Sequence, residues 1–127
     1  MSRDNLLHQE TTGAIIAAMY SVHRELGYGF LERVYGNAMS VMLREAGHAV
    51  IREVPYSIVF HGEEIGRYRA DLIVNDKVLV EVKTGKLIDP SYVAQVTNYL
   101  KASRIEVGLL LNLGPSAEFK RVVSTRN

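Results

Sequence analysis

Two neighbouring apolar segments of the chain carry charged residues that could do chemistry. Asp71 lies in the first, residues 69–74, while Glu81 and Lys83 stand two apart in the second, residues 78–83. Because side chains alternate along a strand, Glu81 and Lys83 share a face. Two converging carboxylates make an oxygen site for Mg²⁺, and a neighbouring lysine can stabilise or deprotonate the attacking water in phosphodiester hydrolysis. Charges on strands this apolar are costly unless they are paired, bound to a metal or at the margin of the sheet. The alternative to a metal site is therefore an outward-facing strand edge with a simple Glu–Lys pair.

Whether Asp71 and Glu81 converge depends on the turn between their strands. In a regular antiparallel pair, directly opposed residues share a face. A two-residue turn at residues 75 and 76 would oppose Asp71 to Val80 and leave the two acids on opposite faces. A shared site requires a three-residue turn, Asn75-Asp76-Lys77, or a β-bulge near Ala70 and Asp71. We predict one of these two irregularities.

Glu32 is a third acid in an otherwise uncharged setting. It begins a helical column that continues with Gly36, Met39 and Leu43. A carboxylate in a first helical turn is stabilised by the helix dipole, which explains Glu32 without any site. The nearby Gly29 favours a polar site instead, because a glycine lets the backbone approach another element closely.

Gln95 and Tyr99 form a further candidate pair. They stand one turn apart on the same face of a predicted helix, where both could reach a bound backbone or a metal-bound water. Ordinary helix-surface residues would show the same spacing. The four histidines lie in separate contexts without metal-ligand spacing, so a zinc site is not expected.

The spacing of apolar residues predicts the helices and strands that must position these side chains. Apolar residues at helical spacing predict helices over residues 12–26 and 31–46, with Thr11 or Thr12 as the first N-cap. Three β-rich segments then form an antiparallel meander, and Pro90 begins a third helix. A last, almost wholly apolar strand should lie parallel to a neighbour. The strands are predicted at residues 49–60, 65–74, 78–84 and 106–112, the third helix at 90–102, and an additional edge strand near 119–123.

Composition bounds the class of protein. With 127 residues and no cysteine, the chain is expected to be one domain, 1–127 with its core at about 12–123, that uses no thiol, zinc–thiolate or disulfide chemistry. This composition favours a cytoplasmic location, and no apolar run approaches the ~20 residues of a membrane span. The net charge of +1 neither favours nor excludes nucleic acid, although 10 of the 15 basic residues are arginines. Arginine suits a phosphate-rich partner, and a solvated surface explains the bias equally well.

One ordered set of motifs resembles a known family. Gly29-Phe30-Leu31-Glu32-Arg33-Val34-Tyr35 reads G-x-x-E-x-x-Y, and the similarity continues through Arg69-Ala70-Asp71, Glu81-Val82-Lys83, and Gln95 with Asn98-Tyr99. This resembles the GxxExxY family, a small branch of the PD-(D/E)xK nuclease superfamily. The resemblance implies an α/β fold with a restriction-endonuclease-like core of order α-α-β-β-β-α-β and a central mixed sheet flanked by helices. Ala70 stands where the name motif has proline, at a position that varies across the superfamily.

The resemblance also assigns roles. It implies that Asp71, Glu81 and the Val82 carbonyl hold Mg²⁺ (or Mn²⁺), with Glu32 as a ligand directly or through water. Lys83 would position or deprotonate the attacking water, and Gln95 would orient that water or the scissile phosphate. Tyr99 and Arg69 would support the site or contact the nucleic acid.

A metal-dependent nuclease acting on nucleic acid, DNA in the first instance, is therefore the function expected from the sequence. One rival is a nuclease-like fold that binds nucleic acid or a protein partner without useful turnover. Another is a regulatory or structural subunit that works only within a complex. A domain of this size leaves no separate recognition module, so specificity is expected from dimerisation, a protein partner or substrate shape.

Overall fold

The computed structural model describes residues 7–124, so the ends of the predicted 1–127 domain lie outside the described residues. Three helices and five strands follow one another in the predicted order, with the additional edge strand present as β5. The elements are α1 Gln9–Leu26, α2 Glu32–Glu45, β1 Val50–Phe60, β2 Glu63–Val74, β3 Val78–Lys83, α3 Pro90–Ser103, β4 Val107–Leu113 and β5 Ala117–Val123.

The five strands form one mixed sheet in the order β1-β2-β3-β4-β5. Strands β1, β2 and β3 make the predicted antiparallel meander, and β4 lies parallel to β3 because α3 carries the chain back across the sheet. Strand β5 pairs antiparallel with β4 and forms the second edge. The architecture is the α/β fold with a central mixed sheet flanked by helices that the sequence predicts.

The helices cover the two faces of the sheet unequally. Helices α1 and α2 pack on one face, which we call the α1/α2 face, through residues such as Met19, Tyr35 and Met39. Helix α3 packs on the other, the α3 face, through Val96 and Leu100. Strand β4 is buried along its whole length, as expected of a strand covered on both sides.

The first helix begins earlier than predicted. It starts at Gln9, after His8, whose side chain makes no capping hydrogen bond. Thr11 and Thr12 are therefore not the N-cap but buried first-turn residues, and the Thr12 hydroxyl donates to the carbonyl of Gln9 at 3.2 Å. Apolar residues on both sides of Thr11 and Thr12 pack in the α1/α2 core. The helix therefore begins before the two threonines that the sequence indicated as its start. No helix within residues 7–124 is long and apolar enough to cross a membrane.

Candidate active site on strands β2 and β3

The turn between β2 and β3 has the register that a shared site requires. Val74 pairs with Val78 and Leu72 with Val80, so three residues, 75–77, lie outside the ladder. Asn75 and Asp76 both have positive φ, 55° and 56°, a conformation that Asn and Asp tolerate better than most residues. The prediction of a three-residue turn is confirmed, and this register brings Asp71 opposite Glu81.

Strands β1 and β2 also change face beside Asp71. Ala70 packs on the α3 face and Leu72 on the α1/α2 face, although residues two apart in a regular strand share a face. On β1 the pairs Arg52–Leu72 and Val54–Ala70 leave Glu53 opposite Asp71, and Glu53 has a φ of 52°. The hairpin is therefore bent at this pair of residues. The bend re-aims the Asp71 side chain towards β3.

Asp71 and Glu81 are held together by hydrogen bonds to the backbone. The Val82 N–H donates to Oδ2 of Asp71 at 2.7 Å, and the Asp71 N–H donates to Oε1 of Glu81 at 3.4 Å. These bonds replace the regular ladder, whose pairs end at Leu72 and Val80. Glu81 is buried and Asp71 is half-buried. We call the place where the carboxyl groups of these two residues lie, at the end of the β2–β3 pairing, the notch.

Burial and the proximity of a second acid disfavour ionisation of both Asp71 and Glu81. Loss of hydration on burial is the main cause that raises the pKa of Glu81, to about 8, and the charge of Asp71 raises it further. Burial also raises the pKa of Asp71, against the opposing hydrogen bond from Val82 and the charges of Lys83 and Arg52. The raised pKa values favour a protonated form of the pair, at Glu81 above all. Such a pair gains from a nearby cation.

Lys83 lies on the α3 face with Glu81. Its Nζ is 5.1 Å from the ring centre of Tyr92 on α3, a cation–π distance. The loop after Lys83 is fixed by the buried Asn112, whose side-chain amide accepts from the Gly85 N–H at 3.0 Å and donates to the Gly85 carbonyl at 2.8 Å. The backbone on which Lys83 stands is thereby anchored to β4. Sequence patterns gave no sign of this role for Asn112.

Three tyrosines stack beside the acid pair. Tyr68 lies parallel to Tyr99 with ring centres 3.7 Å apart, and Tyr56 stacks on Tyr68 at 5.3 Å. The Tyr68 hydroxyl donates to the Tyr99 carbonyl at 2.8 Å. Burial, together with the charges of Glu81 and Asp71, raises the pKa of the Tyr99 hydroxyl. Tyr99 therefore lies within electrostatic reach of the acids, as its predicted supporting position requires.

Within residues 7–124, Gln95 and Arg69 make no hydrogen bond or ion pair to the acids. Gln95 is half-buried on α3, one turn before Tyr99, and its helix covers the face that carries Glu81. Arg69 is exposed on β2, opposite Pro55. The helix that should present Gln95 is present, while the roles of both residues stay predictions.

Glu32 does not join the acid pair. It is exposed in the first turn of α2, a helix of the α1/α2 face, whereas Glu81 lies on the α3 face. Among residues 7–124 no group of three or more His, Cys, Asp or Glu side chains is placed to hold a metal ion. The expectation that three carboxylates converge is wrong for this structure, because Glu32 stands on a helix of the α1/α2 face while the side chain of Glu81 lies on the α3 face.

Arg52, like Asn112, is a residue of this region that the sequence did not indicate. Its Nε donates to the Asp71 carbonyl at 3.4 Å, and its charge opposes the rise in the Asp71 pKa. Its Nη1 donates to the Asn37 side chain on α2. A single arginine in a β-rich segment carries no pattern, so only the pairing of β1 with β2 shows its position.

The mixed sheet flanked by helices is the part of this structure that a family comparison can test. A family model described as the PD-(D/E)XK nuclease superfamily matches residues 9–122. The chain belongs to the PD-(D/E)XK superfamily. Asp71, Glu81 and Lys83 fall within the matched range, and so do all the helices and strands described above except the last residue of β5.

Other comparisons agree on the fold and add no function. The PD-(D/E)XK chain is similar to a solved protein described as "Crystal structure of SSO0001", with a TM-score of 0.56 and 20% sequence identity. The match covers 74% of this chain and 50% of that one, so this chain spans half the length of that protein. At this identity the likeness shows the fold alone. No curated protein matches the chain significantly.

The PD-(D/E)XK site fits a hard divalent cation. Its donors are carboxylate oxygens, and Mg²⁺ typically takes one or two carboxylates together with water and substrate phosphate. A cation beside Asp71 and Glu81 would also relieve the repulsion and the lost hydration that raise both pKa values. The Asp71–Glu81 pair therefore has the donor chemistry that such an ion takes.

Proposed function

We propose that this PD-(D/E)XK protein is a Mg²⁺- or Mn²⁺-dependent nuclease of the GxxExxY branch, which hydrolyses phosphodiester bonds of nucleic acid, with DNA as the first substrate to test. The observation that carries the proposal is the geometry of the Asp71–Glu81 pair, in which the Val82 N–H donates to Asp71 and the Asp71 N–H donates to Glu81. Burial raises the pKa of both carboxyls, and the charge of Lys83 opposes that rise at each of them. Structural ion pairs also perturb pKa values, but within residues 7–124 neither acid forms a direct ion pair.

The proposed ion is held by Asp71, Glu81 and the carbonyl of Val82. The Val82 N–H points to Asp71, and the N–H and carbonyl of one strand residue point to the same side, so this carbonyl is directed towards the notch. When bound, the ion supplies charge neutralisation at the phosphate and lowers the pKa of a water. Glu32, exposed on α2, would join through a water or with the substrate.

The side chains around the ion have separate tasks. Lys83 holds the attacking water from the α3 face as an ammonium group or, as the neutral amine, takes its proton. The ring of Tyr92 limits where this side chain can go. Gln95, from the helix above, orients the water or the scissile phosphate. Tyr99 supports this arrangement through its stack on Tyr68, and the exposed Arg69 contacts the nucleic-acid strand.

A second candidate is a PD-(D/E)XK module that binds nucleic acid or a protein partner without useful turnover. The observation that favours it is the exposed position of Glu32, which leaves two acids rather than three at the notch within the described residues. The two candidates differ in whether a bound strand is cut.

One cleavage panel tests the proposal. Single-stranded, duplex and branched DNA and a matching RNA strand are incubated with the protein and Mg²⁺ or Mn²⁺, with a chelator as the blank. Metal-dependent products from wild type, lost in Lys83→Ala, support the nuclease. Lys86→Ala is the matched control, because Lys86 is an exposed lysine in the next loop. Binding without products in every lane would support the second candidate instead.

A further inference from the structure

Arg52 lies at the opposite side of Asp71 from Lys83. Arg52 belongs to β1 and its Nε donates to the Asp71 carbonyl at 3.4 Å, while Lys83 belongs to β3. The charges of both residues oppose the rise in the Asp71 pKa. A cationic side chain therefore reaches the notch from each of the strands that flank β2.

The guanidinium of Arg52 is held in place from the α2 side. Its Nη1 donates to Oδ1 of Asn37, and its Nη2 lies only 3.1 Å from the position that a Cβ on the buried Gly36 would take. A larger residue at position 36 would press on the guanidinium. The arginine is thus fixed between a helix and a strand before any ligand arrives, which lowers the entropy cost of using it in binding.

Neither hydrogen-bond acceptor of Arg52 carries a charge. The Asp71 contact is a main-chain carbonyl and the Asn37 contact is an amide oxygen. Within residues 7–124 no carboxylate lies at ion-pair distance from Arg52. A residue whose only task was to neutralise Asp71 would be expected to bond its carboxylate in the bidentate geometry that arginine prefers. The charge of Arg52 is instead held in place and left available.

We propose that Arg52 binds a phosphate of the nucleic-acid strand beside the Asp71–Glu81 notch and thereby sets the strand's position. This inference rests on the proposed nuclease function and adds a residue outside the Asp71, Glu81 and Lys83 motif. Guanidinium groups match phosphate through two parallel N–H donors, and Arg52 is only half-buried, so a ligand can reach it. A strand held between Arg52 and Lys83 would cross β2 at Asp71, with a phosphate on each side of that residue.

The test measures binding apart from cleavage. A short fluorescein-labelled DNA strand, alone and as a duplex, is titrated with Lys83→Ala protein in Mn²⁺, and the same is done with Arg52→Met and Arg52→Lys in that background. We expect Arg52→Met to weaken binding roughly tenfold and to lower the slope of log affinity against log salt by about one. Arg52→Lys should restore the slope but not the affinity, since it keeps the charge and loses the fork.

A matched control and a modified ligand make the outcome specific. Arg44→Met removes an exposed arginine of α2 that also donates to a neutral carbonyl, that of Ser40, and should change neither quantity. Single methylphosphonate replacements along the strand remove one phosphate charge at a time. One replacement should weaken binding by protein that retains Arg52 and have little further effect on Arg52→Met. Should Arg52→Met fail to fold, Arg52→Lys and the scan on protein with the native arginine give the answer.

The two proposals fail in different ways. If wild type cuts or binds nucleic acid while Arg52→Met matches Arg44→Met in affinity and salt slope, the role of Arg52 is overturned and the nuclease proposal stands. If wild type neither binds nor cuts any strand, the nuclease proposal falls and the role of Arg52 falls with it.

Discussion

Glu81 is buried on an apolar strand, where a carboxylate without a bound cation is costly. Its nearest ionisable partner is Asp71, another acid, and Lys83 acts on it from the same face without a direct ion pair within residues 7–124. Burial of an unpaired charge is usually avoided by protonation, and the raised pKa of Glu81 shows that response. The cost is consistent with a residue kept for binding rather than for folding.

Folding stability should therefore depend on the proton of Glu81. Its pKa is raised from 4.5 to about 8, first by burial and then by Asp71. Between these values the folded chain keeps a proton that the unfolded chain loses, so stability falls as pH rises from about 4.5 to about 8. Glu81→Gln removes this dependence. In metal-free buffer, the Tm of the variant minus that of wild type should grow across this range.

Thermal melts at several pH values measure the difference. Glu45→Gln, at the exposed end of α2, is the control and should leave the wild-type dependence unchanged. Parallel Tm curves for Glu81→Gln and wild type would show that Glu81 does not titrate as proposed.

Metal binding should show the opposite dependence on pH. A cation competes with the proton on Glu81, so Mn²⁺ affinity should rise as pH increases towards about 8, with release of protons. Asp71→Asn should weaken binding at least about tenfold, because even outer residues of metal sites contribute that much. The asparagine oxygen can still accept from the Val82 N–H, so the fold should persist. Calorimetry in two buffers of different ionisation enthalpy gives affinity and proton release together, and equal Mn²⁺ affinities for variant and wild type would exclude Asp71 as a ligand.

At the scale of elements, the site depends on contacts between loops and strands that are distant in sequence. The loop after β3 carries Gly85, and Asn112 on β4 bonds both its N–H and its carbonyl. Gly114 completes the junction, because a Cβ there would meet the Gly85 carbonyl oxygen at 2.1 Å. Asn112 near the end of β4 and Gly114 just after that strand thus fix the backbone next to Lys83.

Asn112→Ala should damage both the fold and the site. It leaves two backbone groups of Gly85 without their partners in a buried setting, at an expected loss of about 1–3 kcal/mol in the free energy of unfolding. Nuclease turnover should fall by more than this loss of folded protein explains, since the loop next to Lys83 is released. Urea unfolding and turnover measured on the folded fraction separate the two effects. Asn98→Ala, an exposed asparagine of α3, is the control, and unchanged turnover on the folded fraction would show that the junction does not position Lys83.

The fold was more predictable than the convergence of the acids. Helical and strand periodicity located every element described, because burial of an apolar stripe or face is written in local sequence. Counting residues between the two strands left two ways for Asp71 and Glu81 to share a face, a three-residue turn at 75–77 or a β-bulge near Asp71. The structure contains the three-residue turn and also a change of face near Asp71. Side chains that meet through tertiary packing, such as Arg52 with Asp71 and Asn112 with Gly85, left no local pattern.

At the scale of the molecule, Glu32 stands on a helix that covers the α1/α2 face of the sheet, while the side chain of Glu81 lies on the α3 face of β3. Helix α2 is anchored on the α1/α2 face by Tyr35 and Met39, both fully buried. The second turn of α2 is linked to Asp71 through Arg52, which lies against Gly36 and donates to Asn37 on one side and donates to the Asp71 carbonyl on the other. A contribution from Glu32 therefore requires a water, a substrate or a small shift of α2.

Glu32→Gln should consequently change turnover without changing the free protein. Glu32 is exposed and accepts no hydrogen bond from the described residues, so its loss should leave Tm and Mn²⁺ affinity within error of wild type. Turnover should fall at least about tenfold if Glu32 joins the ion or its water once nucleic acid is bound. Glu25→Gln, exposed near the end of α1, is the matched control. If Glu32→Gln already weakened Mn²⁺ binding without nucleic acid, α2 would have to reach the notch in the free protein, and a two-acid site would be the wrong description. If turnover, Tm and Mn²⁺ affinity were all unchanged in Glu32→Gln, Asp71 and Glu81 would be the whole acidic set. Glu32 would then only interact with the dipole of its helix.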